Sequence, residues 1–156
     1  MNKELQFQYK TNLKKRFLAS FTDYLIIFIL TILYIQKFGE IAEDGVMAVS
    51  DVKTVPLILV WLIYFVGVEG YQGATLGHKA LNLLVLKENR KPIDFIDALK
   101  RHLLDPFDFF MFAIPAIIAI KNTDRKQRLG DLWAKTIVVD LTDNEQIDSQ
   151  LINTPQ

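Results

Sequence analysis

Residues 14–35 read KKRFLASFTDYLIIFILTILYI, and this stretch decides the fold class. Three basic residues lead into residues 17–35, and 12 of these 19 residues are Leu, Ile or Phe. A helix needs about 20 mainly apolar residues to cross the hydrocarbon core of a membrane. The apolar residues lie all round the predicted helix, whereas a surface helix of a soluble protein keeps a polar face. The stretch therefore predicts a transmembrane helix and not a soluble helical domain.

Two further apolar stretches follow. Residues 54–68 carry no charge, and with their flanks they are long enough for a second span. Residues 106–120 carry one charge and contain Pro115. As a helix they reach only about 22 Å, against a hydrocarbon core of about 30 Å. Two readings stay open for them: a re-entrant or shallow segment broken at Pro115, or a tilted crossing of a locally thinned bilayer.

The distribution of charge predicts the orientation. Residues 1–15 form a basic N-terminal segment, the loop 36–53 is acidic, and residues 69–102 carry six Lys or Arg. Because Lys and Arg near span ends stay on the cytoplasmic side, the N-terminus and residues 69–102 are predicted to be cytoplasmic. The net charge is zero, so no nucleic-acid partner is expected.

The second half of the sequence contains a weak internal repeat. Residues 75–87 (TLGHKALNLLVLK) and 128–140 (RLGDLWAKTIVVD) both read Leu-Gly and end in a strand-like run. Strands can pair only on one side of the membrane, which favours a re-entrant third segment. Residues 94–104 mix apolar and charged residues as an interfacial helix does. The fold class expected is an all-α membrane protein with two to three transmembrane helices, an interfacial helix and a short cytoplasmic β-pair.

Three segments are expected along the chain. The basic N-terminal segment is followed by a membrane domain over residues 16–140. Residues 141–156 are polar and carry few apolar residues, which is typical of a disordered tail.

Asp23 is the unusual residue of the first span. On a helical wheel it shares an arc of about 80° with Arg16, Ser20, Thr31 and Tyr34. A central Asp costs about 2.5–3.5 kcal/mol on insertion, while each Leu, Ile or Phe returns about 0.3–0.6 kcal/mol, so the helix still inserts. Arg16 is about 10.5 Å away along the axis, too far for direct pairing. Two readings stay open: Asp23 holds helices together through hydrogen bonds, or it binds a cation or proton or lines a path.

The remaining polar residues carry no catalytic or metal-binding motif. Neither G-x-S-x-G, HExxH nor a phosphate loop occurs, and cysteine is absent. His78 and His102 lack metal-ligand spacing and are interpreted as loop or interface residues. Asp105 and Asp108 flank Pro106 in a pattern typical of a helix start. We therefore expect no enzyme, no cofactor and no metal.

Several quoted motifs together resemble the RDD family of bacterial membrane proteins. That family is named for an arginine and an aspartate in the first span and a later aspartate near the C-terminus. KKRFLASFTDYLI supplies Arg16 and Asp23, and DRKQRLGDLWAKTIVV supplies Asp131. GATLGHK resembles the family's central segment through Thr75 and Gly77. The resemblance covers residues 14–140.

The chain departs from the family pattern at three positions. His78 stands where a lysine is usual, Asn82 where a glycine is common, and Gly130 where a histidine often precedes the aspartate. The family implies an integral membrane protein for which transport of an unidentified ligand has been proposed. Sodium/proton antiport is associated with some members.

The function expected is transport of an ion or small solute, including cation/proton exchange, by an oligomer in the bacterial inner membrane. Asp23 is the expected titratable group, and Arg16 and Asp131 are expected to tune it. The supporting residues are Ser20, Thr31, Tyr34, Thr75 and Gly77. Asp131 and the basic residues before it are equally compatible with a structural ion-pair cluster. The alternative function is a non-transporting membrane interaction or scaffold protein, with the lipid bilayer and further copies of the chain as partners in either case.

Overall fold

Two long helical segments dominate the computed structural model, which describes residues 9–41, 45–108 and 110–143. The first is α1, Leu13–Phe38. The second, Asp51–Gln72, consists of a 3-10 turn (Asp51–Thr54), α2 (Val55–Trp61), a π-helix (Leu62–Val68) and α3 (Glu69–Gln72). Their most apolar windows have mean hydropathies of 2.0 and 1.8, yet only 11% and 6% of those windows is buried. Helices so apolar and so exposed fit a lipid environment and not the core of a soluble protein. The two predicted spans are thus present as helices of sufficient length.

A short hairpin connects the two segments at one end. Strand β1 (Glu40–Ile41) pairs antiparallel with β2 (Met47–Ala48). Near this end the Tyr34 hydroxyl donates a hydrogen bond to the carbonyl of Lys53 over 2.9 Å. Tyr34 therefore ties the two segments together far from Asp23.

The opposite end carries a group of short elements that we call the polar layer. Its members are α4 (Leu76–Ala80), β3 (Leu83–Lys87), α5 (Phe95–Leu103), α6 (Asp105–Asp108), α8 (Leu129–Ala134) and β4 (Thr136–Asp140). β3 and β4 are antiparallel over five residues, from Leu83 opposite Asp140 to Lys87 opposite Thr136. The predicted strand pair is confirmed. Its buried side chains pack with Ala19 of α1, so the layer is held against the first helix.

Helix α7, Phe110–Asn122, is too short to be an ordinary span, because 13 residues extend about 20 Å. Both of its flanks contact the polar layer. Asp108 before it accepts hydrogen bonds from α8, and Gln127 after it donates to the carbonyl of Thr136 over 2.7 Å. The irregular backbone lies at Ala113, with φ of 64°, and not at Pro115 where the sequence placed the break. The two flanks of α7 thus meet on the same layer, as a re-entrant or shallow segment requires.

The ends of the chain are only partly described. Residues 1–8 of the basic segment and residues 144–156 of the predicted tail lie outside the described residues. Residues 141–143 form a turn after β4, and Lys10 pairs with Asp143 at 2.8 Å.

Candidate functional site

Asp23 lies in a buried cluster, the Asp23 site, formed with Tyr64, Thr75, Gly77 and His78. The carboxylate is 1% exposed. Its Oδ1 accepts hydrogen bonds from the Tyr64 hydroxyl at 2.6 Å and the Gly77 N–H at 2.7 Å. Its Oδ2 accepts from the Thr75 hydroxyl at 2.6 Å and lies 3.4 Å from His78 Nδ1. One carboxylate therefore joins α1, the π-helix and the start of α4.

The segment GATLGH is shaped to receive this carboxylate. Gly73, with φ of 69°, ends α3 in the left-handed conformation that glycine adopts without cost. Thr75 is the N-cap of α4 and accepts a hydrogen bond from the His78 N–H. A Cβ at Gly77 would clash with the carbonyl oxygen of Ala19 and lie 2.8 Å from Asp23 Oδ1. Glycine is thus required for the close approach of α4 to α1.

The π-helix supplies the remaining hydrogen bond to Asp23. Its turns are wider than those of an α-helix, and such segments are frequent at functional sites. Within it Tyr64 and Phe65 are buried, although most residues of α2 before it are exposed. The change of helix type therefore presents the Tyr64 hydroxyl to α1.

A second cluster of buried charges, the arginine cluster, lies between α1, α3 and the polar layer. Its members are Arg16, Glu69, Arg101, His102, Asp105, Asp108, Arg128 and Asp131. Asp131, which is fully buried, occupies the centre. Its carboxylate pairs with Arg101, lies 3.4 Å from Arg16 Nη1 and 3.7 Å from Arg128 Nε, and accepts the Arg128 N–H at 3.1 Å. Asp131 is therefore shared among all three arginines.

Arg101 connects Asp131 to the second long segment. Its Nε donates to Glu69 Oε1 at 2.7 Å, and its Nη1 donates to the Thr136 hydroxyl at 3.2 Å. Glu69 Oε1 also lies 3.3 Å from His102 Nε2. Among the described residues, Glu69 Oε2 and Arg101 Nη2 are buried without a hydrogen-bond partner.

Two aspartates near Pro106 complete the cluster. Asp105 accepts from the Tyr24 hydroxyl at 2.5 Å, contacts His102 Nδ1 at 2.7 Å and pairs with Arg128 at 2.7 Å. Asp108 accepts the backbone N–H groups of Leu129 and Gly130 at 2.9 and 3.0 Å. Asp105 is the first residue of α6, and Asp108, the last residue of α6, accepts hydrogen bonds from the start of α8.

In the arginine cluster, burial and ion pairing shift the pKa values of the side chains in opposite directions. Burial alone would raise the pKa of Asp131, but Arg101, Arg16 and Arg128 outweigh it and lower that pKa. Burial alone would lower the pKa of His102, yet Glu69 and Asp105 raise it. For Asp108 burial prevails over Arg128, and the pKa is raised. With His102 protonated, the three arginines and the histidine balance four carboxylates.

The raised pKa of His102 predicts a pH-dependent stability. A group that binds its proton more tightly in the folded protein contributes fully below its unfolded pKa, which is about 6.5 for histidine. That contribution is lost as pH rises through the raised folded pKa, with a slope of up to about 1.4 kcal/mol per pH unit. We expect the free energy of unfolding of reconstituted protein to fall as pH rises above about 6.5.

The control is His102→Gln, which removes the titrating group and keeps a hydrogen-bonding side chain. Its unfolding should lack this part of the slope, because Glu69, Asp105, Arg101 and Arg128, the charged groups facing His102, keep their charges in this range. Parallel pH curves for the wild type and the variant would contradict the assignment.

The structure separates the predicted site residues. Arg16 and Asp131 form one ion pair, whereas Asp23 lies in the other cluster with Thr75 and Gly77. Thr31 is half-buried further along α1. Sequence analysis did not single out Tyr24, Tyr64, Glu69 and Arg101 as site members, whereas Arg128 is one of the basic residues before Asp131 that it considered for an ion-pair cluster. One usable signal was present in the sequence. Glu69 is the first charged residue after an uncharged run of 15 residues, so it marks the end of the second apolar stretch.

A cavity of about 60 Å³ lies between α1 and α7, against both clusters. Its polar wall consists of Arg16, Ser20, His78, Arg101 and Arg128. Its apolar wall includes Leu13, Phe17, Ala116, Ile117, Ile120 and Val138. Among the described residues that line it, none is acidic. The accessible surface of the cavity is mainly apolar, and the three arginines border it while their carboxylate partners Glu69, Asp105, Asp108 and Asp131 do not line it.

Metal binding finds no preformed arrangement in the described part of the chain. Within residues 9–41, 45–108 and 110–143, no group of three or more His, Asp or Glu side chains is placed to hold a metal ion. The clusters consist instead of carboxylates already paired with arginine, histidine or backbone N–H groups.

Comparison with known proteins gives one informative match. Neither a curated protein nor a solved structure shows a significant similarity to this chain. Residues 11–135, which include Arg16, Asp23 and Asp131, match the RDD family. That family and the two exposed apolar helices both fit a membrane protein. Because the match covers most of the sequence, the chain belongs to the RDD family.

Proposed function

We propose that this RDD protein takes part in the transport of a small anionic solute across the bacterial inner membrane, with its N-terminus on the cytoplasmic side. The observation that carries the proposal is the cavity between α1 and α7, whose charged lining residues are the cations Arg16, Arg101 and Arg128. Cationic side chains that border a cavity, with no acidic side chain on its wall, concentrate anions and repel cations.

The size and chemistry of the cavity suit a small anionic group. The cavity volume of about 60 Å³ holds roughly four or five heavy atoms. Arginine presents several N–H donors in a fixed plane that matches phosphate and carboxylate oxygens. Ser20, half-buried on the wall, adds a hydroxyl. The cavity is therefore suited to a phosphate or carboxylate group.

Asp23 takes a supporting role in this proposal. Its carboxylate already accepts three hydrogen bonds of 2.6–2.7 Å. Each hydrogen bond to a charged group contributes about 1.5–3 kcal/mol, so a cation would have to displace strong internal partners. We assign Asp23 to holding α1, the π-helix and α4 together, so that the cavity wall formed by His78 and Ser20 is fixed.

Oligomerisation is part of the proposal. Two long helices and the short α7 are too few to enclose a path through a bilayer. We propose that several copies assemble through the exposed faces of α1 and α2, with the lipid bilayer covering the rest. The proposal involves no catalytic step and no cofactor.

The test is uptake of radiolabelled inorganic phosphate into proteoliposomes, with the oligomeric mass of the same sample measured by native mass spectrometry. The matched variants are Ile117→Trp, which fills the cavity, and Ile118→Trp, which places the same ring on the neighbouring exposed position. We expect uptake above empty liposomes, at least a fivefold loss in Ile117→Trp and less than a twofold change in Ile118→Trp. Asp23→Asn is measured in parallel for pH-dependent sodium flux.

Each outcome assigns a function. Sodium flux in the wild type that Asp23→Asn abolishes, without phosphate uptake, would replace the proposal with cation/proton exchange. A folded, assembled wild type that moves neither ion would favour the second candidate, a membrane interaction or scaffold protein. That candidate is supported by a specific observation: Arg16, Asp23 and Asp131 are all engaged in internal contacts.

A further inference from the structure

The shape of the cavity points to the class of ligand, and this inference rests on the anionic site proposed above. We infer that the cavity binds the headgroup of an anionic amphiphile, that is, a phosphate or carboxylate joined to an alkyl chain. Because about 60 Å³ holds little more than the headgroup, the alkyl chain leaves the cavity past Phe17 and Ile117 towards the lipid. Free inorganic phosphate shares the headgroup chemistry and differs only in lacking the chain.

The part of the cavity that would hold the headgroup is bordered by arginines whose hydrogen-bond donors are only partly satisfied. Arg101 lines the cavity, is fully buried, and its Nη2 has no hydrogen-bond partner among the described residues. A guanidinium has five N–H donors and cannot give up its charge, so a buried donor without a partner costs about 1–3 kcal/mol. Arg16 also lines the cavity, and its contacts with Asp131 and with the carbonyl of Val138 are both long, at 3.4 Å. An anion in the cavity would provide acceptors for both side chains.

The alkyl chain of the ligand would contact the apolar wall of the cavity, where this wall reaches the protein surface. Phe17 is 60% exposed on the outer surface of α1, so the cavity reaches the flank of the helix that faces lipid. Ile117 and Ile120 of α7 continue this wall. Water and inorganic phosphate leave these side chains without apolar partners, whereas an alkyl chain covers them and is itself removed from water. A ligand that has both an anionic group and an alkyl chain therefore matches the two walls better than a purely polar or a purely apolar ligand.

The geometry also places the ligand at the level where amphiphiles lie in a bilayer. Arg16 is in the first turn of α1, at the predicted membrane surface, and Phe17 and Ser20 follow towards the interior. A headgroup on Arg16 and Arg101 would thus stay near the interface while its chain points along α1. A small polar solute without an alkyl chain would not be stabilised by a position so close to the lipid.

The experiment is a binding titration on the full chain in phosphatidylcholine nanodiscs. The probes are inorganic phosphate, ethyl phosphate, dodecyl phosphate and dodecyltrimethylammonium, each titrated against the wild type, Ile117→Trp and Ile118→Trp. Partition of the probes into lipid is the same for all three proteins, so the difference between the two Trp variants isolates binding in the cavity. We expect dodecyl phosphate to bind at least tenfold more tightly than ethyl phosphate, Ile117→Trp to weaken it at least tenfold, and Ile118→Trp to change it less than twofold.

The remaining outcomes separate the two proposals. Equal affinity for dodecyl phosphate, ethyl phosphate and inorganic phosphate, still lost in Ile117→Trp, would overturn the amphiphile and leave the anionic solute in place. Binding of dodecyltrimethylammonium as tight as that of dodecyl phosphate would show an unselective apolar groove and overturn both. So would equal binding of every probe by Ile117→Trp and Ile118→Trp, because the cavity would then not be the site.

Discussion

Asp131→Asn is expected to destabilise the protein by about 3–5 kcal/mol, because breaking a buried ion pair leaves its partners charged and unpaired. Asp131 is fully buried and is shared among Arg16, Arg101 and Arg128. The amide keeps the size of the side chain but removes the negative charge and brings an NH₂ group against guanidinium donors. The change should appear as a lower midpoint of thermal unfolding for the protein in nanodiscs.

Asp124→Asn is the matched control, since Asp124 is exposed just after α7. Exposed substitutions away from special features usually stay within about 0.5 kcal/mol of the wild type. If Asp131→Asn unfolded as late as Asp124→Asn, the charges of the arginine cluster would have to be compensated elsewhere, and the structural role of Asp131 would be rejected.

Gly77→Ala is expected to cost about 3 kcal/mol or more, although it adds a single methyl group. The new Cβ would clash with the Ala19 carbonyl oxygen and crowd the Asp23 carboxylate. Both groups belong to the middle of α1 and cannot move aside, so α4 must retreat. The hydrogen bonds that Asp23 receives from Gly77 and Thr75 would lengthen, leaving a buried carboxylate short of donors.

Gly67→Ala provides the comparison within the same protein. A Cβ at Gly67 would meet the carbonyl of Leu62 only at 3.9 Å, an ordinary van der Waals distance. Alanine also favours a helix over glycine by about 1 kcal/mol. We expect Gly67→Ala to unfold no earlier than the wild type. Equal losses in Gly67→Ala and Gly77→Ala would mean that the close approach of α4 to α1 is not required.

The parts of the fold that follow from apolar patterning were predictable. Residues 17–35 and 54–68 became the two long helical segments, since length and hydropathy are local properties of the sequence. The β3–β4 pair followed from strand-like runs after two Leu-Gly motifs. The short α7 was predicted less completely. Its length was evident, but its irregular residue is Ala113, in the turn that precedes Pro115, and not the proline itself.

The candidate site was predicted only in part, because side-chain pairing is not local. Arg16, Asp23 and Asp131 were recognised as unusual, but the sequence suggested that Asp23 is the centre of the site. The structure instead pairs Arg16 with Asp131 across 115 positions and gives Asp23 a separate set of partners. Arg101 lies in an amphipathic helix where a charge has an ordinary explanation as a solvated residue. No sequence pattern distinguishes it from the neighbouring Lys100, which is only half-buried.

One departure from the family pattern has a physical explanation in the backbone. Asn82 has a φ of 55°, and asparagine tolerates this left-handed conformation better than other residues with a side chain. Where glycine is common in the family, asparagine therefore preserves the turn between α4 and β3. His78 takes the place of the usual lysine and contacts Asp23 and Thr75.

Arg16 and Asp131 are far apart in the sequence, and this determines the order in which the contacts of the protein can form during translation. Asp23 finds its partners 41 to 54 residues downstream, so α1, the π-helix and α4 can lock together while the C-terminal half is still on the ribosome. Arg16 and Arg101 must wait for residue 131. Until it emerges, the nascent protein holds guanidinium groups without their shared counter-ion. A chain truncated before α8 would thus keep both long helices and remain open at the polar layer, where proteolytic surveillance can recognise it.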